Sequence, residues 1–341
     1  MELFLSIIIP VYNAGTTIRR LLDSIYQLEL SENEFEVIAV DDGSSDNSLL
    51  YLREYARKHK NLLVLHDSLT QLGPAQRRNE GLQKARGTYV WFVDSDDQIK
   101  AANVVQLREI FEAEGLDIVV FNMEVIEDGR FLTWDWLEES PSLSGKDLYC
   151  QNHIFSAPWN KICKREFLIS HSLFFEPNVY PEDQKWSDEC FSVATKAKIY
   201  GTVLYCYHRE SAVSLSRGTK AIRQFMQGFP KVIESHLEQA LHRGAPRFWV
   251  HALYHLFRGW IYRVNIAKQT QLLQATHEQY SQIQRLSRKA LRRLPVVLDS
   301  KYFYLVGLAV SAHWFTCSKT FLNIILNKLR AQLPKVHACK N

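Results

Sequence analysis

Over the first 120 residues, short apolar runs alternate with segments whose apolar residues recur at helical spacing. No other feature constrains the fold of this chain as tightly. Leu3–Ile9 reads as a buried strand, and Thr16–Gln27 as a helix with Ile18, Leu21, Leu22 and Ile25 on one face. Glu36–Val40 reads as a second strand ending at Asp41. Ser45–Lys58 follows as a helix, with Leu49, Leu50, Leu52 and Tyr55 expected inward and a Ser/Asp-rich start that suits a cap. Leu62–Leu65 is a third strand. Pro74–Lys84 is a third helix, with Pro74 tolerated in its first turn. Tyr89–Val93 is a fourth strand running into Asp94-Ser95-Asp96-Asp97, and a helix over Ala101–Glu114 and a strand over Leu116–Phe121 continue the series. Strands alternating with helices of this length predict parallel βαβ units in an open α/β sheet, whose ligands bind beyond the carboxyl ends of the strands.

Three polar clusters fall where predicted strands stop: Pro10-Val11-Tyr12-Asn13, Asp41-Asp42-Gly43-Ser44-Ser45-Asp46 and Asp94-Ser95-Asp96-Asp97. Each one alone is explained by turn chemistry, since Asp, Asn, Gly and Ser are common in turns for backbone reasons. Together, at successive strand ends of one parallel sheet, they predict carboxylates converging on one crevice. Grouped carboxylates are costly without a compensating cation or hydrogen-bond donors, and an Asp-x-Asp turn offers hard oxygens suited to Mg²⁺ or Mn²⁺. The turn after the first strand lacks G-x-G-x-x-G, and the chain has no G-x-x-x-x-G-K-[ST] and no G-x-S-x-G. A dehydrogenase of the dinucleotide type is therefore disfavoured, and a P-loop NTPase and an elbow-type hydrolase are excluded.

Four segments carry a resemblance: Ser6-Ile7-Ile8-Ile9-Pro10-Val11-Tyr12-Asn13, Val40-Asp41-Asp42-Gly43-Ser44-Ser45-Asp46, Gln76-Arg77-Arg78-Asn79-Glu80-Gly81 and Phe92-Val93-Asp94-Ser95-Asp96-Asp97. In this order and spacing they resemble glycosyltransferase family 2, inverting enzymes of the GT-A fold that use nucleotide-diphosphate sugars. The match is strong over residues 3–100 and weaker to about 215. The resemblance implies that Pro10 and Tyr12 line a base pocket, with Tyr12 able to stack on a uracil-like ring. It implies that Asp41 accepts a hydrogen bond from the base, with Asp42 in support, and that Arg78 lies near the diphosphate. Asp94 and Asp96 resemble the Asp-x-Asp pair that contacts ribose and binds Mn²⁺ or Mg²⁺, while Asp97 shapes the loop. In Asn178-Val179-Tyr180-Pro181-Glu182-Asp183-Gln184-Lys185-Trp186 the resemblance makes Asp183 the general base, with Glu182 beside it. Asp188-Glu189 competes for that role, and Asp183 and Asp188 also suit a solvated face near a helix start. Pro158-Trp159-Asn160-Lys161 resembles an acceptor-side segment, or a buried Trp anchoring a corner. Tyr207, His208 and Arg209 follow a run that reads either as ordinary strand composition or as a strand ending near a phosphate.

Charge divides the chain. Residues 1–216 carry 21 Lys and Arg against 33 Asp and Glu, whereas residues 217–341 carry 20 against 4. We expect a catalytic domain over 1–217, its second part less regular with a small antiparallel portion, and a basic, mainly helical region over 218–341. Gln284–Leu294 is a basic amphipathic stretch, and Tyr302–Ser318 is uncharged between Lys301 and Lys319. The latter admits three readings: a short membrane span, an interfacial helix, or a buried core helix. The basic region predicts docking on an anionic membrane surface. Nucleic acid is not expected as a partner, because no RNA or DNA motif accompanies the charge. The acidic start, Met1-Glu2, gives no signal-peptide pattern, and scattered cysteines give no C-x-x-C pair, so a cytoplasmic setting is expected. The implied activity is transfer of a sugar from a UDP-type donor to a polysaccharide or lipid-linked glycan. A nucleotidyltransferase and a catalytically inactive sugar-nucleotide-binding scaffold are the competing readings.

Overall fold

The computed structural model describes residues 3–242 apart from 68–70, 101–103, 128, 133–136, 153 and 210–218, together with 248, 249, 252 and 256. The basic stretch 284–294 and the uncharged stretch 302–318 lie outside the described residues. The chain separates into two compact units, Met1–Val232 and Ile233–Asn341.

The first unit opens with β1 (Leu5–Val11), α1 (Ile18–Ile25), β2 (Phe35–Asp41), α2 (Ser48–Lys58), β3 (Leu62–His66), α3 (Pro74–Lys84) and β4 (Tyr89–Phe92). The three crossovers make β3, β2, β1 and β4 neighbours in parallel. Both faces of β1 and β2 are covered, and every residue of the two strands is buried, as their continuous apolar runs require. Ile18, Leu21, Leu22 and Ile25 of α1 are all buried, as the spacing predicts. α2 departs from expectation at its start, which is Ser48 rather than Ser45 with no side-chain bond from its cap residue Asn47, and on its buried face. Leu52 is fully buried, but Leu50 is 52% exposed. Two residues along a helix turn a side chain by about 200°, so Leu50 and Leu52 cannot share the buried face. In α3, Gly81 lets the helix press directly on β1, and any Cβ there would collide with the Ile8 side chain.

After β4 the topology changes. β5 (Gln98–Ile99) and α4 (Val104–Glu114) lead into β6 (Ile118–Glu127), which forms a hairpin with β7 (Arg130–Leu132). α5 (Gly145–Gln151) and a 3-10 turn at Pro158–Asn160 precede β8 (Lys161–Lys164) and α6 (Arg165–Ser170). α7 (Glu182–Val193), β9 (Ala197–His208) and α8 (Thr219–His242) complete the series. β8 inserts antiparallel between β4 and β6, which supplies the expected antiparallel portion, and β9 pairs parallel to β6. The sheet order is β3-β2-β1-β4-β8-β6-β9-β5. Only residues 93–97 separate β4 from β5, yet β5 lies beyond β9 at the far edge. The sheet must therefore curl, and the Asp94–Asp97 turn lies at the fold of the curl.

Near the end of the first unit, Gly228 of α8 packs its backbone against Tyr180, where a Cβ would collide with the Tyr180 main chain. In the second unit, the described residues include a buried His236 edge-on to Trp249, with ring centroids 5.1 Å apart. Among the described residues no helix is long and apolar enough to cross a membrane.

Candidate active site

The first two clusters form one laced rim. Asn13 adopts a left-handed backbone at φ 48°, its N–H donates to Ser44 Oγ (2.9 Å), and its Oδ1 accepts from the Ser45 N–H (2.8 Å). The Ala14 N–H donates to Ser48 Oγ, and the Gly15 N–H to Asp46 Oδ2, each at 2.8 Å. Turn chemistry thus accounts for Ser44, Ser45 and Asp46, and it fixes the residues beside them. Pro10 is buried inside β1 opposite Val40. Tyr12 stands just past the strand end, 38% exposed, and its hydroxyl accepts from Gln71 Nε2 at 2.8 Å.

Asp41, the last residue of β2, is fully buried. Its Oδ2 accepts from the Ser44 N–H (3.1 Å) and meets His66 Nδ1 (2.8 Å), whereas its buried Oδ1 has no hydrogen-bond partner among the described residues. A buried acceptor without a donor is costly, and this oxygen can take one. Asp42 has a different occupation. Its oxygens accept from the N–H groups of Leu72 and Gly73 (2.9 Å each) and from Arg77 Nε (2.6 Å), which pins the start of α3. Its support of Asp41 is therefore a matter of scaffold.

The third cluster faces α3 and α7. Arg78 is buried and bridges two carboxylates, with Nη2 on Asp94 Oδ1 at 2.7 Å and Nη1 3.5 Å from Glu182 Oε1. The Phe175 ring lies 5.2 Å from its guanidinium carbon, and Asn79 holds the Phe175 main chain through two hydrogen bonds, at 2.7 and 2.8 Å. Its Nε is buried without an acceptor among the described residues. Burial, then the charge of Asp94, pushes Asp96 up to about 6. Burial, then Asp183, pushes Glu182 up to about 7 against the pull of Arg78. Asp97 is fully buried and accepts from the Tyr205 hydroxyl (2.6 Å) and the His208 N–H (2.7 Å). Asp183 is half-buried in the first turn of α7, and its Oδ1 accepts from the Gln184 N–H at 2.7 Å. The rival pair is placed elsewhere: Asp188 is buried and accepts from Tyr149 Oη (2.6 Å) and Gln184 Nε2, and Glu189 pairs with Lys185. His208 is buried, with Nε2 2.8 Å from Gln98 Oε1.

The structure thus joins Asp94, Asp96, Glu182, Asp183 and Arg78 into one electrostatic cluster beside the strand ends that carry Asp41 and Tyr12. The charge of Asp94 opposes the ionisation of Asp96, and the two make a donor pair that a hard divalent cation fits. Among the described residues no group of three or more His, Cys, Asp or Glu is arranged to hold a metal ion, so this pair would hold one with ligands from elsewhere. Two features escape the sequence reading. One is the Arg78–Glu182 link, whose partners are far apart in the chain. The other is His66 on Asp41. The position of His66 at the end of the third strand was its only signal.

An open, curled sheet with an acidic edge of this kind defines the GT-A class of fold. Staphylococcus aureus TarS, residues 1–349 in complex with UDP-GlcNAc, superposes with a TM-score of 0.69 at 21% identity, covering 91% of each chain. Residues 6–171 match the model of glycosyl transferase family 2, and this segment of the chain belongs to that family. Among curated relatives, a poly(ribitol-phosphate) beta-glucosyltransferase of Bacillus spizizenii is 29% identical over 205 residues, covering 60% of this chain and 32% of the relative. EpsJ of Bacillus subtilis, an uncharacterised glycosyltransferase, is 32% identical over 219 residues, covering 62% of each. The chain thus spans less than two thirds of the length of these relatives.

Proposed function

We propose that this protein is an inverting glycosyltransferase that moves a hexosyl or N-acetylhexosaminyl group from a UDP-sugar to a hydroxyl of a polysaccharide or lipid-linked glycan. One observation carries the reading. A buried, unsatisfied Asp41 oxygen, an Asp94/Asp96 pair and a Glu182–Asp183 pair sit along a single carboxyl edge of the sheet. The names of relatives, among them a poly(ribitol-phosphate) beta-glucosyltransferase and a poly(ribitol-phosphate) beta-N-acetylglucosaminyltransferase, agree with it.

In this reading Asp41 Oδ1 accepts the imide N–H of the uracil, with His66 and the Ser44 N–H holding the other oxygen, while Tyr12 stacks on the ring and Pro10 closes its strand. Asp42 keeps the start of α3 in place, so Arg78 stays between the donor and acceptor sides. Asp94 and Asp96 would hold Mn²⁺ or Mg²⁺, which would supply positive charge against that developing on the departing diphosphate. Asp183 takes the proton of the attacking hydroxyl on the face of the sugar opposite the leaving group, which inverts the anomeric centre. The amino end of α7 favours negative charge at Asp183. Glu182, buried beside it, is pushed up by burial and by the charge of Asp183. The basic region 218–341 docks the catalytic domain on the anionic inner face of the cell membrane, from the cytoplasm.

The test is release of UDP from a panel of UDP-sugars, with the cognate polymer as acceptor. Asp183→Asn lowers turnover by about 10²–10⁴-fold, as loss of a general base does, and leaves UDP affinity intact. Asp94→Ala loses both. A wild-type chain that transfers no sugar from any donor while binding UDP would identify a scaffold instead.

A further inference from the structure

We infer that Tyr205 is a positioning residue for the Asp94–Asp97 turn, braced from behind by Trp159. The inference rests on the glycosyltransferase reading only for its consequence on ligand binding; its geometry stands without it. Tyr205, in β9, is fully buried, and its hydroxyl makes two bonds to the turn at once. It accepts the Asp94 N–H at 3.1 Å and donates to Asp97 Oδ2 at 2.6 Å. The other Asp97 oxygen accepts the N–H of His208, three residues further along the same strand, at 2.7 Å. β9 therefore grips both ends of a turn that belongs to β4 by sequence. The curl of the sheet makes this reach possible, because β5 continues the turn and pairs with β9 at Gln98 opposite Cys206.

The ring of Tyr205 has no freedom of its own. Trp159 stacks on it with centroids 4.5 Å apart and planes 4° from parallel. The Trp159 carbonyl accepts Trp91 Nε1 at 2.8 Å, so the stack is tied to β4. The loop carrying Trp159 is closed by Lys161, whose buried ammonium donates to the carbonyls of Phe155 (3.3 Å) and Ala157 and to Asn160 Oδ1 (2.7 Å). Neither Asp94 nor Asp96 touches this brace with its side chain. The brace acts on their backbone, and so on where their carboxylates point. Thr17 and Arg20 of the α1 segment hold the carbonyls of Ser95 and Asp96 from the other side, which leaves Tyr205 as the clamp on the remaining two residues of the turn.

The test is Tyr205→Phe, which keeps the ring and its stack on Trp159 and removes only the hydroxyl. Hydrogen–deuterium exchange of the full-length protein without ligand reads the turn directly. The variant exchanges faster over residues 93–98 and 205–209, while peptides from β1 and β2 keep wild-type protection. Unchanged exchange over those residues overturns the inference. Titration with UDP and with uridine, each in the presence of Mn²⁺, reads the consequence. UDP affinity falls about tenfold and uridine affinity falls less, because uridine meets the turn through its ribose alone and carries no diphosphate. Equal loss for both ligands, or no loss for UDP, also overturns the inference. If wild type binds neither ligand, the donor reading fails, and the exchange experiment still decides the role of Tyr205.

Discussion

Arg78 shows how much a single residue decides at this site. Its charge is spent on holding Asp94 and Glu182 near each other, one from the turn after β4 and one from the first turn of α7. Glu182 is buried enough to be pushed up to about 7, so the folded protein binds a proton there that the unfolded chain has lost by about pH 5. The sign follows from linkage: between the unfolded and folded values the native state holds more protons, so this group's contribution to stability falls as pH rises from about 4.5 to about 7. Glu182→Gln removes that contribution. Thermal midpoints measured from pH 4.5 to 8 decline less for the variant than for wild type; parallel curves would show that Glu182 does not titrate in this window. The carboxylates at the strand ends were legible in the sequence because strand ends of a parallel sheet share an edge. The Arg78 bridge was not, because its two partners come from a turn 16 residues away and a helix about a hundred residues away, and periodicity contains nothing about such pairing.

At the scale of elements, the sequence told strand from helix well and told faces less well. The βαβ half was readable because each buried strand is a continuous apolar run and each helix has a marked stripe. Leu50 was misplaced because α2 is rich in leucine on more than one side, and composition alone cannot choose among faces. The insertion of β8 between β4 and β6 was beyond reach in detail, since its four residues, Lys161–Lys164, include a lysine whose burial depends on carbonyls of the preceding loop. Gly81 illustrates a constraint that only packing explains. Gly81→Val forces α3 away from β1, and overpacking of this kind costs about 1–3 kcal/mol. Urea unfolding checks the loss, which carries a functional consequence because α3 also supplies Arg78.

At the scale of the molecule, charge is divided rather than mixed. An acidic part precedes a basic one, and each basic residue close to an anionic leaflet contributes about 1 kcal/mol that salt screens within about 10 Å. The full chain is expected to sediment with phosphatidylglycerol vesicles at low ionic strength and to be released at high salt. Sedimentation unaffected by salt would point to apolar insertion, and no sedimentation would remove the docking proposal. Because residue 228 has no side chain, α8 and the backbone just ahead of Glu182 and Asp183 meet with no intervening atoms. There is no cushion at that junction, so a tilt of the helix at this point cannot be absorbed locally: it must carry the start of α7 with it.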